Sequence, residues 1–333
     1  MTSGTEPSTT EDHVGRLGVI DLGAWLRDDP RLMRLFPVVT LLGAFALSSC
    51  AGPERDTAYV AEIDAWHADR VASLRRDTSQ LTQVGLHRLP AGTSTLGSAD
   101  DADIVLHERA PARLGEVSVV GRAVTFTAAE GVEVHRFGSE PLQRVERVEL
   151  TAPAPDGGTM TLATGRMLYH VITREGVLVL RVRDRDSADR IAFESPDRFP
   201  VSTRYRVTAR LVPGTAAWQT MRQEGGFVYS SPTPGVLEFE LDGQTCRLRP
   251  NLQADGRLFF VFADATTGGE TYPGGRFLYA DPLDEEGRAV LDFNRTYTPV
   301  CAWNAFSTCP RPLPENTLPV AVRAGEKYTP HDS

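Results

Sequence analysis

The sequence predicts a mainly β protein in which one N-terminal helix precedes an antiparallel β-sandwich and a second antiparallel β domain. Apolar residues first recur at helical spacing. The pattern then changes to short alternating runs rich in branched side chains, separated by Gly, Pro and Asp. A chain of 333 residues is long enough for two domains that each bury a core. We expect the domains to span residues 56–195 and 196–333.

The overall composition excludes some classes of partner. The formal net charge is -9, and acidic and basic residues are interspersed rather than grouped. This pattern predicts no nucleic-acid partner. Four cysteines are too few for a disulfide scaffold, so each needs its own interpretation. We expect no cofactor and no metal site.

Residues 34–50, RLFPVVTLLGAFALSSC, have the layout of a secretory signal: a basic start, an apolar run and an end of small residues. The apolar run is shorter than the roughly 20 residues that a membrane-spanning helix needs. We therefore expect a signal region over residues 1–49 and a linker over residues 50–55. Because Met33 directly precedes Arg34, residues 1–32 are interpreted as a start-site extension.

The end of this region, Leu47 to Cys50, resembles the lipobox of bacterial lipoproteins. The resemblance implies that Cys50 carries lipid and anchors the protein to a membrane in the cell envelope. Ala51 after the cysteine favours the outer membrane, with the protein facing the periplasm. An oxidising compartment would then surround the fold.

A helix is predicted from Asp56 to Asp77, with Asp56 as its N-cap. Trp66 is expected to anchor this helix on the sheets that follow. The buried face is predicted at spacings of three and four by Tyr59, Ile63, Trp66, Arg70 and Leu74.

The first β domain contains many short runs that predict strands. His170 lies in one of them and is interpreted as a core or edge histidine rather than a ligand. The predicted strands are residues 103–106, 115–119, 123–127, 132–134, 148–150, 160–162, 167–172 and 177–182.

From Leu96 to Ile172 the chain resembles a forkhead-associated domain, a phosphothreonine-binding β-sandwich, through its opening LGSADDADIVLHERAPARLGEVSVVGRAVTF. The resemblance implies a forkhead-associated-like sandwich. Ser98 stands where that family carries arginine, and Leu114 stands near the position of its histidine. Without a cation for the phosphate, we expect no phosphopeptide binding.

The second domain follows a charged stretch, residues 183–198. Asp242-Gly243 predicts a tight hairpin turn, and Cys246 is interpreted as a small buried hydrophobic residue. The predicted strands are residues 205–211, 236–241, 245–248 and 258–262.

Five segments resemble an uncharacterised bacterial family, domain of unknown function 1684. They are WHADRVASL, the sandwich opening, FADATTGGETYPGGRFL, DFNRTYTPVCAW and CPRPLPENTLPVAVRAGEK. Together they extend the resemblance over most of the chain after residue 50. The family carries no known reaction, so the resemblance implies a fold and no chemistry.

Polar and aromatic residues concentrate near the ends of predicted strands in the second domain, where loops often carry function. We predict that they line a cleft for a small polar ligand. The alternatives are a buried ion-pair network, loop capping by asparagine and aromatic core packing. The candidate residues are Asp264, Tyr272, Arg276, Asp292, Asn294, Arg295 and Tyr297.

Two further functions remain open. A hydrolase would use Asp264 and Asp292 as an acid and base pair, which requires both carboxylates in one pocket. A structural or protein-interaction module of the envelope would instead expose an apolar patch.

Cys301 and Cys309 are separated by eight positions and flanked by Pro299 and Pro310. The spacing and the expected compartment favour a disulfide. A zinc site is the alternative, but His331 is the nearest histidine and four ligands are needed.

Overall fold

A computed structural model describes residues 52–151, 158–174, 176–212 and 217–330, with only the backbone described for residues 52–56. The predicted signal region and Cys50 lie outside the described residues. Within the described part of the chain, no helix combines the length and apolar character needed to cross a membrane.

The N-terminal helix α1 spans Gly52–Arg75. It begins before Asp56, so the predicted N-cap is wrong. Its buried face is formed by Ile63, His67, Val71 and Leu74, while Trp66 is only half-buried. Ile63, predicted on the same face, is fully buried, whereas the Trp66 indole expected to anchor the helix lines a groove.

Ten strands follow α1 and form two five-stranded sheets, in the orders β1-β10-β9-β8-β6 and β3-β2-β4-β5-β7. Neighbouring strands are antiparallel except for β2 and β3. Apolar residues of both sheets share one core, so these strands form a sandwich. The strands are β1 (Gln83–Arg88), β2 (Gly92–Gly97), β3 (Ile104–Val105), β4 (Gly115–Val120), β5 (Ala123–Ala128), β6 (His135–Arg136), β7 (Arg147–Glu149), β8 (Thr161–Thr164), β9 (Met167–Arg174) and β10 (Val177–Asp184).

Most predicted strands of the sandwich are present, but the one at residues 132–134 is wrong. Val134 is fully buried, yet its carbonyl accepts from the Val145 amide outside any strand ladder. The apolar residues at positions 132–134 were therefore mistaken for a strand because Val134 is buried in a loop. Strands β1 and β2 were not predicted, because their sequences QVGLHR and GTSTLG are too polar for the alternation pattern.

The C-terminal module places a four-stranded sheet, β15-β14-β11-β19, against a three-stranded sheet, β16-β17-β18. Both sheets contribute to a second core, which residues 318–324 complete. The remaining strands, β12 and β13, form a separate hairpin. The strands are β11 (Arg206–Val212), β12 (Trp218–Arg222), β13 (Val228–Pro232), β14 (Val236–Leu241), β15 (Gln244–Leu248), β16 (Asn251–Leu252), β17 (Leu258–Phe262), β18 (Arg276–Ala280) and β19 (Arg288–Asp292).

The Asp242-Gly243 turn joins β14 to β15 as predicted. Both residues have positive φ, 52° and 73°, which is the geometry that a tight hairpin turn requires. Cys246 is buried in β15, in agreement with its interpretation as an apolar core residue.

Short helices connect the strands and position several site residues. A third apolar cluster joins α1 to both modules through Val71, Leu74, Leu81, Phe193 and Val300. The described residues from Pro53 onward consequently form one compact unit. The short helices are α2 (Ala188–Ile191) and 3-10 segments at Gln80–Thr82, Thr203–Tyr205, Glu224–Gly226, Phe293–Arg295, Val300–Ala302 and Pro314–Asn316.

Candidate ligand-binding site

Asp264 and Arg276 form a fully buried ion pair instead of lining a cleft. The distance from Arg276 Nη2 to Asp264 Oδ2 is 2.7 Å, and the two side chains are 0% and 1% exposed. The second oxygen of Asp264 accepts hydrogen bonds from the backbone amide and the hydroxyl of Thr266, at 2.7 and 2.6 Å. The cleft role predicted for these two residues is therefore wrong, and the alternative of a buried ion-pair network is correct.

The Arg276 guanidinium holds the C-terminal segment in place. It donates to the carbonyls of Val322 and Ala324 at 2.7 and 2.5 Å. Burial lowers the pKa of Arg276, and the Asp264 carboxylate opposes that shift. Gly325, with φ of 74°, lies so close to Thr296 that no side chain fits there. The pair thus fastens residues 322–325 to strand β18.

Asp292 and Asn294 form a second network around Tyr59 of α1. The Tyr59 hydroxyl donates to Asp292 Oδ1 at 2.7 Å, and burial raises the pKa of this tyrosine. Asn294 donates to the Tyr59 hydroxyl and to the Ser202 carbonyl, both at 2.9 Å. Asn294 is therefore a structural residue, whereas Asp292 keeps one oxygen near a groove.

A groove of 580 Å³ lies between α1 and the C-terminal module, and we call it the helix groove. Asp292, Arg295 and Tyr297 line it, so these three predicted residues do share a cavity. Arg295 pairs with Glu62 of α1 and lies 3.7 Å from Asp292 Oδ2. Asp264 does not line this groove, so Asp264 and Asp292 do not form one acid and base pair.

Tyr272 and the disulfide support the loop after β19. Cys301 and Cys309 are bonded, with 6.1 Å between their Cα atoms, which confirms the predicted disulfide over the zinc alternative. The Tyr272 hydroxyl donates to the Cys301 carbonyl at 3.3 Å, and its ring packs edge-on against Tyr328. Tyr272 lines neither the helix groove nor the cavity beside it. Within the described residues, no group of three or more His, Cys, Asp or Glu side chains is arranged for a metal.

Glu326 links α1 to the loop that carries Tyr297. This carboxylate is fully buried and accepts from Arg70 Nε at 2.7 Å and from the Thr298 amide at 2.8 Å. The Arg70 guanidinium also lies 4.2 Å from the centre of the Tyr297 ring. Burial lowers the pKa of His67 to about 4, so its contact with Glu326 involves a neutral imidazole at pH 7.

A second cavity, of 450 Å³, adjoins the helix groove, and we call it the arginine cleft. Its walls come from the sandwich, from α1 and from the C-terminal module. Arg70, Tyr279 and Tyr297 line both cavities, so the two are neighbours. The disulfide loop forms one wall through Ser307 to Pro310.

The sandwich contributes two cations to the arginine cleft, Arg174 from β9 and Arg181 from β10. Arg181 is only 9% exposed. Neither guanidinium forms an ion pair with a carboxylate of the described residues, and no acidic side chain lines the cleft. A buried arginine normally has an anionic partner, so this site is electrostatically incomplete.

The pKa values of Arg181 and His170 are lowered, as this excess of positive charge predicts. Burial and the neighbouring Arg174 and Arg183 lower the pKa of Arg181 to about 10. His170, opposite Arg181 in the sheet, has its pKa lowered to about 3 by burial and by Arg183 and Arg181. His170 is buried, as predicted, and it is neutral at pH 7.

Sequence reasoning missed Arg174 and Arg181, although β10 carried a signal. In VLVLRVRD, Leu178, Leu180 and Val182 face the sandwich core. The opposite face carries Val179 and Arg181, and Val179 is 0% exposed. A strand with apolar residues on both faces predicts cover on both faces. An arginine on the second face was therefore bound to be buried.

With this geometry in place, comparison with known proteins identifies the C-terminal module. Residues 191–327 match the family described as Protein of unknown function (DUF1684). These residues are a DUF1684 domain. The domain contains the Asp264–Arg276 pair, the disulfide and Glu326, whereas Arg174 and Arg181 precede it. The match does not include WHADRVASL or the sandwich opening, so the wider resemblance is confirmed only for the C-terminal part.

The chain that carries this DUF1684 domain is also similar to an uncharacterized protein of Haloarcula marismortui with a solution NMR structure. The identity is 31%, over 42% of this chain and 79% of that one, with a TM-score of 0.35. No curated protein is significantly similar to the chain.

Proposed function

We propose that the protein binds a small anionic ligand in the arginine cleft. The observation that carries the proposal is Arg181, a buried cation for which the described residues supply no carboxylate. An anion bound beside the Arg181 guanidinium would supply the favourable charge–charge interaction that this buried cation lacks. The sequence predicted a small polar ligand. In this proposal the ligand is negatively charged and binds in the arginine cleft instead of the predicted site.

The surroundings of Arg181 suit a small ligand. The volume of 450 Å³ is within the usual range for small-molecule sites. Arg174 lines the same cleft and contributes to the lowered pKa of Arg181. A guanidinium group can hold carboxylate or phosphate oxygens through paired hydrogen bonds. Tyr279 and Tyr297 add aromatic surface to the lining of the cleft.

Replacement of Arg181 should weaken anion binding and raise the melting temperature of the anion-free protein. We expect citrate and inorganic phosphate to raise the melting temperature of the wild-type protein more than sodium chloride does at the same ionic strength. Arg181→Met should abolish this anion-specific shift and weaken the affinity at least tenfold. The same variant should melt higher than wild type without anion, because a buried unpaired charge has been removed.

Arg247→Met is the matched control, because Arg247 is an exposed arginine paired with Glu238. This variant should keep the anion-specific shift of the wild type. The proposal fails if neither anion exceeds chloride in the wild type, or if Arg181→Met responds to citrate as the wild type does. Differential scanning fluorimetry and calorimetric titration provide both measurements.

The hydrolase hypothesis loses its basis in the Asp264 and Asp292 pair. Asp264 is saturated by Arg276 and Thr266, whereas Asp292 belongs to the Tyr59 network. A structural or interaction role for the module stays a prediction from sequence.

We also propose that lipid on Cys50 anchors the protein in the cell envelope, facing the periplasm at the outer membrane. The proposal is supported by the signal layout of residues 34–50 and by the Cys301–Cys309 disulfide, a bond typical of oxidising compartments. A palmitate analogue should label the wild-type protein expressed in a Gram-negative host and should not label Cys50→Ala. Equal labelling of the two proteins would exclude the anchor.

A further inference from the structure

The two cations that the sandwich contributes to the arginine cleft lie at separate places on one face of a sheet. In the ladder between β9 and β10, Arg174 is paired with Val177, whereas Arg181 is paired with His170. Paired residues share a face, and so do residues an even number of positions apart in one strand. Val177 and Arg181 are four positions apart, which corresponds to about 13 Å along the strand. The backbone positions of the two arginines are therefore well separated, although both side chains line one cleft.

The sheet surface between the two arginines is apolar. Ile172 is paired with Val179 midway between them and on the same face. Val179 is fully buried and Ile172 is half-buried, so neither supplies a polar group to the arginines. A compact anion bound at Arg181 would leave the Arg174 charge without a counter-charge among the described residues. An anion with a second negative group would balance both charges.

The lining of the cleft favours an apolar link between two such groups. Four aromatic residues, Phe259, Phe277, Tyr279 and Tyr297, line the cleft together with the arginines. Phe259 packs edge-on against Phe277 with 5.0 Å between ring centroids and stacks on Tyr279 at 4.7 Å. Binding sites for small molecules usually combine apolar walls with a few polar groups that fix orientation. The aromatic surface would contact a hydrocarbon or flat spacer.

The positive charge around Arg181 exceeds one unit. Arg174 and Arg183 both contribute to lowering the pKa of Arg181, after the larger effect of burial. Arg183 donates to the Thr78 carbonyl at 2.7 Å, and this neutral group leaves the Arg183 charge uncompensated. No acidic side chain lines the cleft. A ligand with two negative charges would therefore offset more of this charge than a monoanion would.

We infer that the ligand is a small dianion whose two negative groups are separated by an apolar spacer, as in an α,ω-dicarboxylate. Arg181 holds one negative group, Arg174 holds the other, and the aromatic residues contact the spacer. This inference rests on the proposed anion binding and specifies the ligand of the same site.

The test compares carboxylates of equal length that carry one or two negative groups. Suberate is paired with octanoate, adipate with hexanoate, and succinate with butyrate, all at one ionic strength and at pH 7.5. Calorimetric titration of the wild-type protein should give at least tenfold tighter binding for suberate than for octanoate. The preference should be smallest for succinate over butyrate, because its two carboxylates are too close together to reach both arginines.

Variants then assign the preference to individual residues. Arg174→Met should reduce the preference for suberate over octanoate to less than threefold. Arg181→Met should weaken the binding of both compounds at least tenfold. Arg247→Met changes an exposed arginine that is paired with Glu238, and it should keep the wild-type preference. If Arg181→Met does not fold, Arg174→Met and the wild-type comparison still decide.

The outcomes separate this inference from the proposed function. Equal binding within all three pairs, or a response to phosphate or citrate without binding of suberate, would overturn the dianion and leave anion binding intact. A preference as large for succinate as for suberate would overturn the separation of the two groups. An unchanged preference in Arg174→Met would overturn the role of that residue. Absence of binding by all six compounds, together with no response to citrate or phosphate, would overturn both proposals.

Discussion

Asp264→Ala is expected to lower the free energy of unfolding by about 3 to 5 kcal/mol, because it leaves the Arg276 charge buried without a partner. The guanidinium is 0% exposed and cannot reach water without moving residues 322–325. Urea unfolding followed by tryptophan fluorescence provides the measurement. The loss of stability would mainly reflect the cost of leaving the Arg276 charge buried without a partner. It would not equal the net contribution of the ion pair to the free energy of unfolding.

Two further variants test that explanation. Glu238→Ala breaks the exposed Arg247–Glu238 pair in the same module and should cost less than about 1 kcal/mol. The double variant Asp264→Leu with Arg276→Met removes both buried charges and should recover part of the stability lost in Asp264→Ala. A loss in Asp264→Ala no larger than that in Glu238→Ala would show that the pair is not structural.

Glu326→Ala should destabilise the protein by about 3 kcal/mol and release α1 from the C-terminal module. The substitution leaves the Arg70 guanidinium and the Thr298 amide without their carboxylate. Chemical unfolding measures the stability change, and hydrogen exchange measures the release of α1. Amides of α1 should exchange faster, while amides of the sandwich core strand β4 keep their wild-type rates.

Asp64→Ala is the matched control on the same helix. Asp64 pairs with Arg198 at 2.8 Å, but its side chain is 53% exposed, so its removal should cost less than about 1 kcal/mol. Equal exchange rates of α1 amides in Glu326→Ala and Asp64→Ala would contradict the role given to Glu326.

The fold was largely predictable because it depends on local patterns. Alternation located β14, an apolar run located β17, and the Asp242-Gly243 pair located a hairpin turn. The disulfide was predictable from the spacing of Cys301 and Cys309 and from their flanking prolines. Polar edge strands such as β1 were not predictable, because their pairing depends on neighbours that are distant in sequence.

The candidate site was harder to predict, because the same residue types build ligand sites and buried networks. Asp264 and Arg276 look like ligand-binding residues in sequence, but they satisfy each other and the backbone. Arg181 looks like an ordinary surface residue of an alternating strand. Its burial arises because the C-terminal module covers that face of β10, and the local sign of this cover was the apolar Val179 on the same face.

The attachment of residues 318–326 determines whether the C-terminal module can fold. Leu318, Val320 and Val322 fill its core, and Glu326 fixes α1, which lies about 250 positions earlier in the chain. Without these residues, β17 and β18 have an unfilled core and Arg276 lacks its carbonyl partners. The sandwich can form without them because its two sheets close on each other. The core of the C-terminal module therefore depends on residues 318–326, and a chain truncated before residue 318 should keep a folded sandwich but lack a folded C-terminal module.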